Sequence, residues 1–291
     1  MTRQPLVARR AEQLLGTPVV STAPVAGGDV ATATKLRLND GTQALMKTLA
    51  HAPEGFFAAE ARGLRWLAEP AAVGVPEVLA VDDDCIIIRW VEPGRPSTEA
   101  AELFGRGLAR LHQAGPDGSG GSGGFGAEQD GYIAKLPLPN KPAETWAEFY
   151  AVRRLLPYLK LGRDRGTVDD EEAAAVEAVV GKLPDLVPEE PPARLHGDLW
   201  NGNVLWDREG RVWLIDPAAY AGHRETDLAM LALFGLPHLD RVVTAYQEVA
   251  PLAEDWEDRI ALHQLFPLLV HAAMFGGGYA ARAAEAARRY L

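Results

Sequence analysis

With one cysteine in 291 residues, the chain can form neither an intramolecular disulfide nor a Cys-rich zinc site. That residue, Cys85, stands in the apolar run Cys85-Ile86-Ile87-Ile88 and reads as a small buried hydrophobe. No apolar run is long enough to span a bilayer, and the opening Met1-Thr2-Arg3-Gln4-Pro5 leads into a mixed helix rather than a signal peptide. Positive charge is also in deficit. Lys and Arg total 29 against 40 Asp and Glu, a formal charge of −11. Nucleic-acid binding in general needs a basic face, so that class is excluded. The expectation is a cytoplasmic protein, off the membrane, monomeric or weakly dimeric. Heptads, tandem repeats and metal-type Cys/His clusters are missing too. Apolar residues are plentiful at 47%, enough for a sizeable core in one large domain or two lobes.

The most informative stretch is Arg194-Leu195-His196-Gly197-Asp198-Leu199-Trp200-Asn201-Gly202-Asn203, continuing to Leu214-Ile215-Asp216-Pro217. An Asp and an Asn five residues apart share a Gly-containing loop. The apolar runs Val204-Leu205-Trp206 and Val212-Trp213-Leu214-Ile215 follow, joined by the turn Asp207-Arg208-Glu209-Gly210, and predict a hairpin. Asp216 stands directly after it. Phosphoryl transfer needs a carboxylate to take the hydroxyl proton, and an amide and a carboxylate to hold metal on the triphosphate. Asp-x4-Asn alone is common. In register with a hairpin and a second Asp, it resembles the catalytic loop and metal-binding Asp of the protein-kinase-like superfamily.

The words HGDLWNGN, IDPA and Gly222-His223-Arg224-Glu225-Thr226-Asp227-Leu228-Ala229-Met230 resemble the fructosamine-3-kinase, or ketosamine kinase, family. Its relatives, the aminoglycoside phosphotransferases and choline kinases, share a looser HGDxxxxN and IDxxx. The resemblance covers nearly the whole chain.

Residues 4–15 read as an amphipathic helix carrying Leu6, Val7, Leu14 and Leu15, ended by Gly16. Strand-like runs follow at Pro18–Val25, Val30–Leu38 and Gln43–Leu49, the last two joined by a hairpin at Asp40-Gly41. The first turn, Ala26-Gly27-Gly28-Asp29, is short of a full Gly-x-Gly-x-x-Gly. Gly27 and Gly28 read equally as a phosphate-covering turn, which the resemblance implies, and as a plain tight turn. Some fructosamine kinases carry a cysteine near this turn; this chain has none. Lys47 lies inside the third strand, opposite in facing to Met46, and Glu60 lies on the apolar helix just downstream. A strand lysine held by a helix glutamate is how kinase-like folds orient a phosphate-binding ammonium. Pro76–Val81 and Cys85–Trp90, around an Asp82-Asp83-Asp84 turn, complete five strands.

The resemblance makes Arg89-Trp90-Val91-Glu92-Pro93-Gly94 the hinge, where main-chain groups bind adenine. It assigns the Arg89 side chain no role, since relatives usually carry an acidic residue there. Trp90 reads equally as core packing. Ser97 caps a helix with Leu103, Phe104, Leu108 and Leu111 as its apolar stripe. His112 at its end reads as a packed histidine. The Gly/Ser-rich run 115–124 reads as a flexible loop. An extended segment from Gly131 to Asn140 precedes a helix over 145–156. On it, Arg153 and Arg154 read as a solvated face, with a cleft-facing role as the alternative. Asp169-Asp170-Glu171-Glu172 opens another helix. His263 and His271, on the closing helices, read as core or supporting residues.

The resemblance thus implies an α+β fold of two lobes: a five-stranded antiparallel nucleotide-binding lobe over 1–91, and a mainly helical catalytic lobe over 92–291. It implies ATP and Mg²⁺, and a ketosamine acceptor, small or carried on a glycated protein. Asp198 would be the base, Asn203 and Asp216 the metal ligands, Lys47 with Glu60 the phosphate-binding pair, and His196 and Asp227 supports of the loop. Trp200, two residues after Asp198, would offer the acceptor an apolar face, or else pack in the large lobe. A different aminoglycoside- or choline-type kinase and a catalytically silent nucleotide-binding protein are the alternatives. A protein kinase is disfavoured because no Ala-Pro-Glu-like segment follows Asp216.

Overall fold

Cys85-Ile86-Ile87-Ile88 is apolar at every position because both faces of its strand are covered. The computed structural model describes residues 6–26, 30–117 and 124–291. The small lobe is one antiparallel sheet of five strands: β1 (Val19–Val25), β2 (Thr32–Leu38), β3 (Gln43–Thr48), β4 (Val78–Asp82) and β5 (Cys85–Arg89). Their spatial order is β1-β2-β3-β5-β4. Cys85 and Ile87 face helix α1 (Leu6–Leu15) with Met46, Leu36 and Ala11. Ile86 and Ile88 face helix α2 (Phe56–Ala68) with Phe57, Ala61 and Leu64. Burial pushes the Cys85 thiol up to about 11, so it is an inert hydrophobe at neutral pH. Leu6 contributes little to the face predicted for it and is exposed, while Ala8 and Ala11 are buried. Residues 4 and 5 of the expected helix lie outside the described residues.

After β5 the chain leaves the sheet and crosses to the large lobe. Pro93 bridges Asp207, and Gly94 N donates to Trp206 O at 2.6 Å. A Cβ at Gly94 would collide with the Asp207 carbonyl, so the crossing needs glycine. Helix α3 (Thr98–Gln113) begins with Ser97 Oγ accepting from Ala100 N. Phe104, Leu108 and Leu111 are buried as the period predicts. Leu103 is not: one residue round from Phe104, it sits 61% exposed. Beyond α3 come a short hairpin, β6 (Gly131–Ile133) and β7 (Leu136–Leu138), and helix α4 (Trp146–Phe149).

The helix expected over 145–156 is longer and irregular. Thr145 caps it, a π-helical turn spans Tyr150–Leu155, and α5 (Leu156–Asp164) continues it. That wide turn carries Arg154 inward. The solvated face predicted for both arginines is therefore wrong for Arg154, which is fully buried. Its guanidinium stacks on Tyr220 at 3.9 Å and donates to Pro139 O and Asn140 Oδ1, both at 2.6 Å.

The predicted acidic start holds at α6 (Asp170–Val180), where Asp169 and Glu172 form a capping box. Helix α7 (Leu183–Leu186) and strand β8 (Ala193–Leu195) lead to the loop that carries Asp198. The predicted hairpin is β9 (Val204–Trp206) paired antiparallel to β10 (Val212–Leu214). Buried Asp207 shapes its turn, accepting from Glu209 N, Arg211 N and Trp213 Nε1. Strand β11 (Tyr220–Gly222) pairs with β8. Helices α8 (Glu225–Phe234), α9 (Leu239–Val249), α10 (Ile260–His263), α11 (Leu265–Phe275) and α12 (Tyr279–Arg288) complete the large lobe. Leu262, Leu265, Leu268, Leu269 and Val270 are buried in its core. Among the described residues no helix is long and apolar enough to cross a membrane.

Candidate active site

The segment Leu195–Asn203 leaves β8 as a tight loop, and two buried groups hold its shape. Asp227, on the first turn of α8, accepts from His196 N at 2.8 Å and from Gly197 N at 3.0 Å. Gly197 has φ +81°, and a Cβ there would strike the Ala218 carbonyl. His196 is fully buried; its Nε2 donates to Ile215 O at 2.8 Å, and its Nδ1 accepts from Asp198 N at 3.2 Å. Burial lowers its pKa, which keeps it neutral and fits a brace better than a proton shuttle.

Asp198 emerges from this loop into the cleft between the lobes. Burial and the negative charge of Asp216 push its carboxyl up to about 7, against a hydrogen bond from Asn203 that pulls it down. Asn203 Nδ2 donates to Asp198 O at 2.8 Å and Asp198 Oδ2 at 3.1 Å. With Nδ2 turned to Asp198, the amide oxygen of Asn203, a hard donor, lies on the other side of the amide group. Asp216 follows β10 with φ +54°, a left-handed conformation uncommon outside glycine. The kink turns its carboxylate back toward the sheet.

Lys47 meets it there. Its ammonium lies 2.6 Å from Glu60 Oε1 and 2.6 Å from Asp216 Oδ1. Burial opposes the ammonium charge, but the two carboxylates outweigh it and hold Lys47 above the ordinary lysine range. Burial also pushes the Glu60 carboxyl up, against the pull of Lys47. With both bonds this short, Lys47 is the charged centre of an ion-pair network. Residues from β3, α2, the catalytic-type loop and the end of β10 thus converge as the motif predicts.

One cavity of about 1200 Å³ joins these groups. Ala33, Leu45 and Ile88 of the sheet line it with apolar surface, and Trp90 and Val91 line it too. Trp90 is not core packing. Its Nε1 donates to Glu92 Oε2 at 2.8 Å, and the Lys35 ammonium lies 4.1 Å over its ring. The Arg89 side chain turns to Glu77, 2.6 Å away. The main-chain N–H groups of Arg89 and Trp90 donate to Glu77 O and Gln43 O, so neither is open to a ligand. Gly27 and Gly28 lie outside the described residues. Trp200 lines the cavity, its indole laid over Gly202, where a Cβ would clash with the ring. His112 is packed rather than catalytic: it is buried between Tyr246 and Asp227.

Sequence reasoning missed one wall of this cavity. Phe234, His271, Phe275 and Tyr279 line it beyond Trp200. His271 therefore faces the cavity rather than the core. The available signal was an aromatic at the last position of two helices, each followed by a left-handed glycine, Gly235 and Gly276.

The donor set also bears on metal. Asn203 Oδ1 and the second oxygen of Asp216 are hard donors, with no thiol or imidazole among them. That chemistry fits Mg²⁺.

The geometry is that of a small-molecule kinase of the protein-kinase-like fold. The fructosamine kinase family model matches residues 4–291, and the chain belongs to that family. A probable ketoamine kinase of Thermus thermophilus is 37% identical over 257 residues, 88% of each chain. The chloroplastic protein-ribulosamine 3-kinase of Arabidopsis thaliana is 31% identical over 283 residues, 94% of this chain and 84% of that one. A crystal structure of a putative fructosamine-3-kinase from Thermobifida fusca is 48% identical, covers 98% of both chains and has a TM-score of 0.91. The choline kinase LicA of Streptococcus pneumoniae, 15% identical at a TM-score of 0.62 over 97% of this chain and 96% of that one, shares the fold alone.

Proposed function

We propose that the protein transfers the γ-phosphoryl group of ATP to the O3 hydroxyl of a ketoamine, a fructosamine or ribulosamine borne by a free or protein-bound amine. The observation that carries this is the meeting of Asp198, Asn203, Asp216 and Lys47 on one cavity, in a chain of this family. Asp198 would orient the sugar hydroxyl and take its proton as the O3–P bond forms and the bond to ADP breaks. Its raised pKa makes it a better proton acceptor than an exposed aspartate while leaving it largely ionised in mild alkali. Lys47, steered by Glu60, would bind the phosphate oxygens. Asn203 and Asp216 would hold Mg²⁺, which when bound neutralises charge on the triphosphate. His196 and Asp227 would keep the loop in shape. Val91 and the residues after it would offer main-chain groups to adenine, with residue 91 the boundary between lobes. Trp200 would lie under the sugar. A cytoplasmic location and a monomer or weak dimer belong to the same reading, supported by the inert thiol and the net charge of −11.

The test is the position of the new phosphate. Phosphorus–proton correlation NMR of the product of 1-deoxy-1-alkylaminofructose should show coupling to H3. Coupling to any other sugar proton would overturn the O3 assignment.

A further inference from the structure

From Trp200 a row of aromatic rings runs outward along the cavity. Trp200 meets Phe234 edge-on at 6.0 Å, Phe234 meets His271 at 5.3 Å, and His271 meets Phe275 at 5.7 Å and Tyr279 at 5.0 Å. The elements explain the row. Phe234 is the last residue of α8, while His271 and Phe275 are four apart on one face of α11. His271 Nδ1 donates to Pro267 O at 2.7 Å, which fixes its ring in the row. Phe234 is 39% exposed and Phe275 57% exposed, so these rings are not used up in packing. Large apolar side chains left facing a cavity mark ligand contact surface.

The row starts where Asp198 would hold the sugar. Phe234 follows Trp200 ring to ring at 6.0 Å, and the other three follow Phe234, so the outer rings lie past the sugar's place on Trp200. What lies beyond the sugar in a ketoamine is the substituent on its C1 nitrogen. The charged groups around the cavity narrow the choice. The cationic side chains lining it, among the described residues, are Lys47, Arg62 and Arg89. Lys47 is held by Glu60 and Asp216, Arg62 donates to Asp130 O, and Arg89 pairs with Glu77. None of these lies on the aromatic row; Arg282 reaches only its outer end, 5.9 Å over the Tyr279 ring, so Phe234 and Phe275 face the substituent as apolar surface.

Resting on the ketoamine reading above, we infer that Phe234, His271, Phe275 and Tyr279 form a subsite for an apolar or aromatic N-substituent. The protein would then favour ketoamines of aryl- and alkylamines over those of small amino acids. The deciding experiment compares kcat/KM for N-benzyl, N-methyl and N-carboxymethyl 1-amino-1-deoxyfructose, in the wild type and in Phe275→Ala and Phe234→Ala. Ratios taken within one preparation cancel any loss of folded enzyme. The wild type should favour the benzyl adduct over the methyl adduct by about 2- to 12-fold, the range of one good aromatic pair. The carboxymethyl adduct should gain nothing over methyl. Each Phe→Ala change should bring the benzyl-to-methyl ratio toward one. A wild-type ratio near one, a ratio untouched by both substitutions, or a clear preference for carboxymethyl would overturn the subsite. Turnover of none of the three by the wild type would instead overturn the ketoamine reading itself.

Discussion

Lys47 and Asp216 are 169 residues apart in the chain, yet the ammonium lies 2.6 Å from Asp216 Oδ1. Asp216 reaches it only through a left-handed backbone turn, at φ +54°. The contact ties the β lobe to the end of the β9–β10 hairpin and places the cation proposed to bind phosphate beside the carboxylate proposed to hold metal. Glu60 shares the same ammonium. The three act as one unit, so Lys47→Met and Glu60→Ala should be strongly non-additive in kcat. A double-mutant cycle measures this; simple addition of the two losses would mean that Glu60 does not act through Lys47.

Asp198 carries a pH signature. Burial and the Asp216 charge hold its carboxyl at about 7 in the folded protein, against about 3.9 for an aspartate in the unfolded chain. Between those values the folded protein keeps a proton that the unfolded chain has released, so raising the pH through that window lowers stability. Asp198→Asn removes the effect. In apo protein the variant should melt higher than wild type at pH 8, and the two should converge near pH 4. The gain is at most about 4 kcal/mol, reduced by water reaching the half-buried carboxylate. The same change should lower turnover at least about a hundredfold, through loss of the positioned base. Near-normal turnover would remove Asp198 from that role.

His223 works in the opposite pH direction. It is fully buried, stacked on His263 at 5.1 Å, and burial lowers its pKa to about 3. The unfolded chain takes up a proton near the ordinary histidine value, which the folded one refuses until far lower pH. Stability from this group is therefore full above about 6.5 and lost as pH falls toward 3. His223→Gln should flatten that acid limb of a Tm-against-pH curve. An unchanged acid limb would place the acid sensitivity elsewhere.

Arg154 braces two residues that line the cavity, Asn140 and Tyr220. It is buried, and among the described residues no carboxylate pairs with it; Pro139 O, Asn140 Oδ1 and the rings of Tyr220 and Phe149 hold it. Asn140 in turn anchors the 129–140 segment, through bonds to Gln129 O and Asp130. Arg154→Met should cost about 2–4 kcal/mol, because two acceptors lose their donor inside the fold. It should also raise the acceptor KM more than the ATP KM. Thermal melts and the two KM values check this. A higher Tm with an unmoved acceptor KM would show the cation to be a burden rather than a brace.

The legible parts of the molecule are the local ones. Asp198, Asn203 and Asp216 fall within a loop and hairpin short enough for spacing to carry geometry. Lys47 and Glu60 were readable because a strand followed at once by an apolar helix limits where each can point. Arg154 was misread because a π-helical turn shifts the facing of every residue after it, and ordinary helical spacing does not announce one. The aromatic row was invisible for another reason. Phe234 and Phe275 meet the same cavity only through the packing of α8 and α11, which no local pattern records. The expected hinge is a further case: no local pattern records that Arg89 and Trp90 spend their N–H groups on Glu77 O and Gln43 O.

The central claim, a kinase for ketoamines, is tested most directly by acceptor-dependent ADP release from the wild-type protein with MgATP. The acceptors are a ketoamine, the matching free ketose, an aminoglycoside and choline. The account predicts ADP release with the ketoamine far above the other three. The free ketose should come second at best, since it lacks the amine and its substituent. Release driven best by choline or the aminoglycoside, or no acceptor-dependent release with any ketoamine, would contradict it.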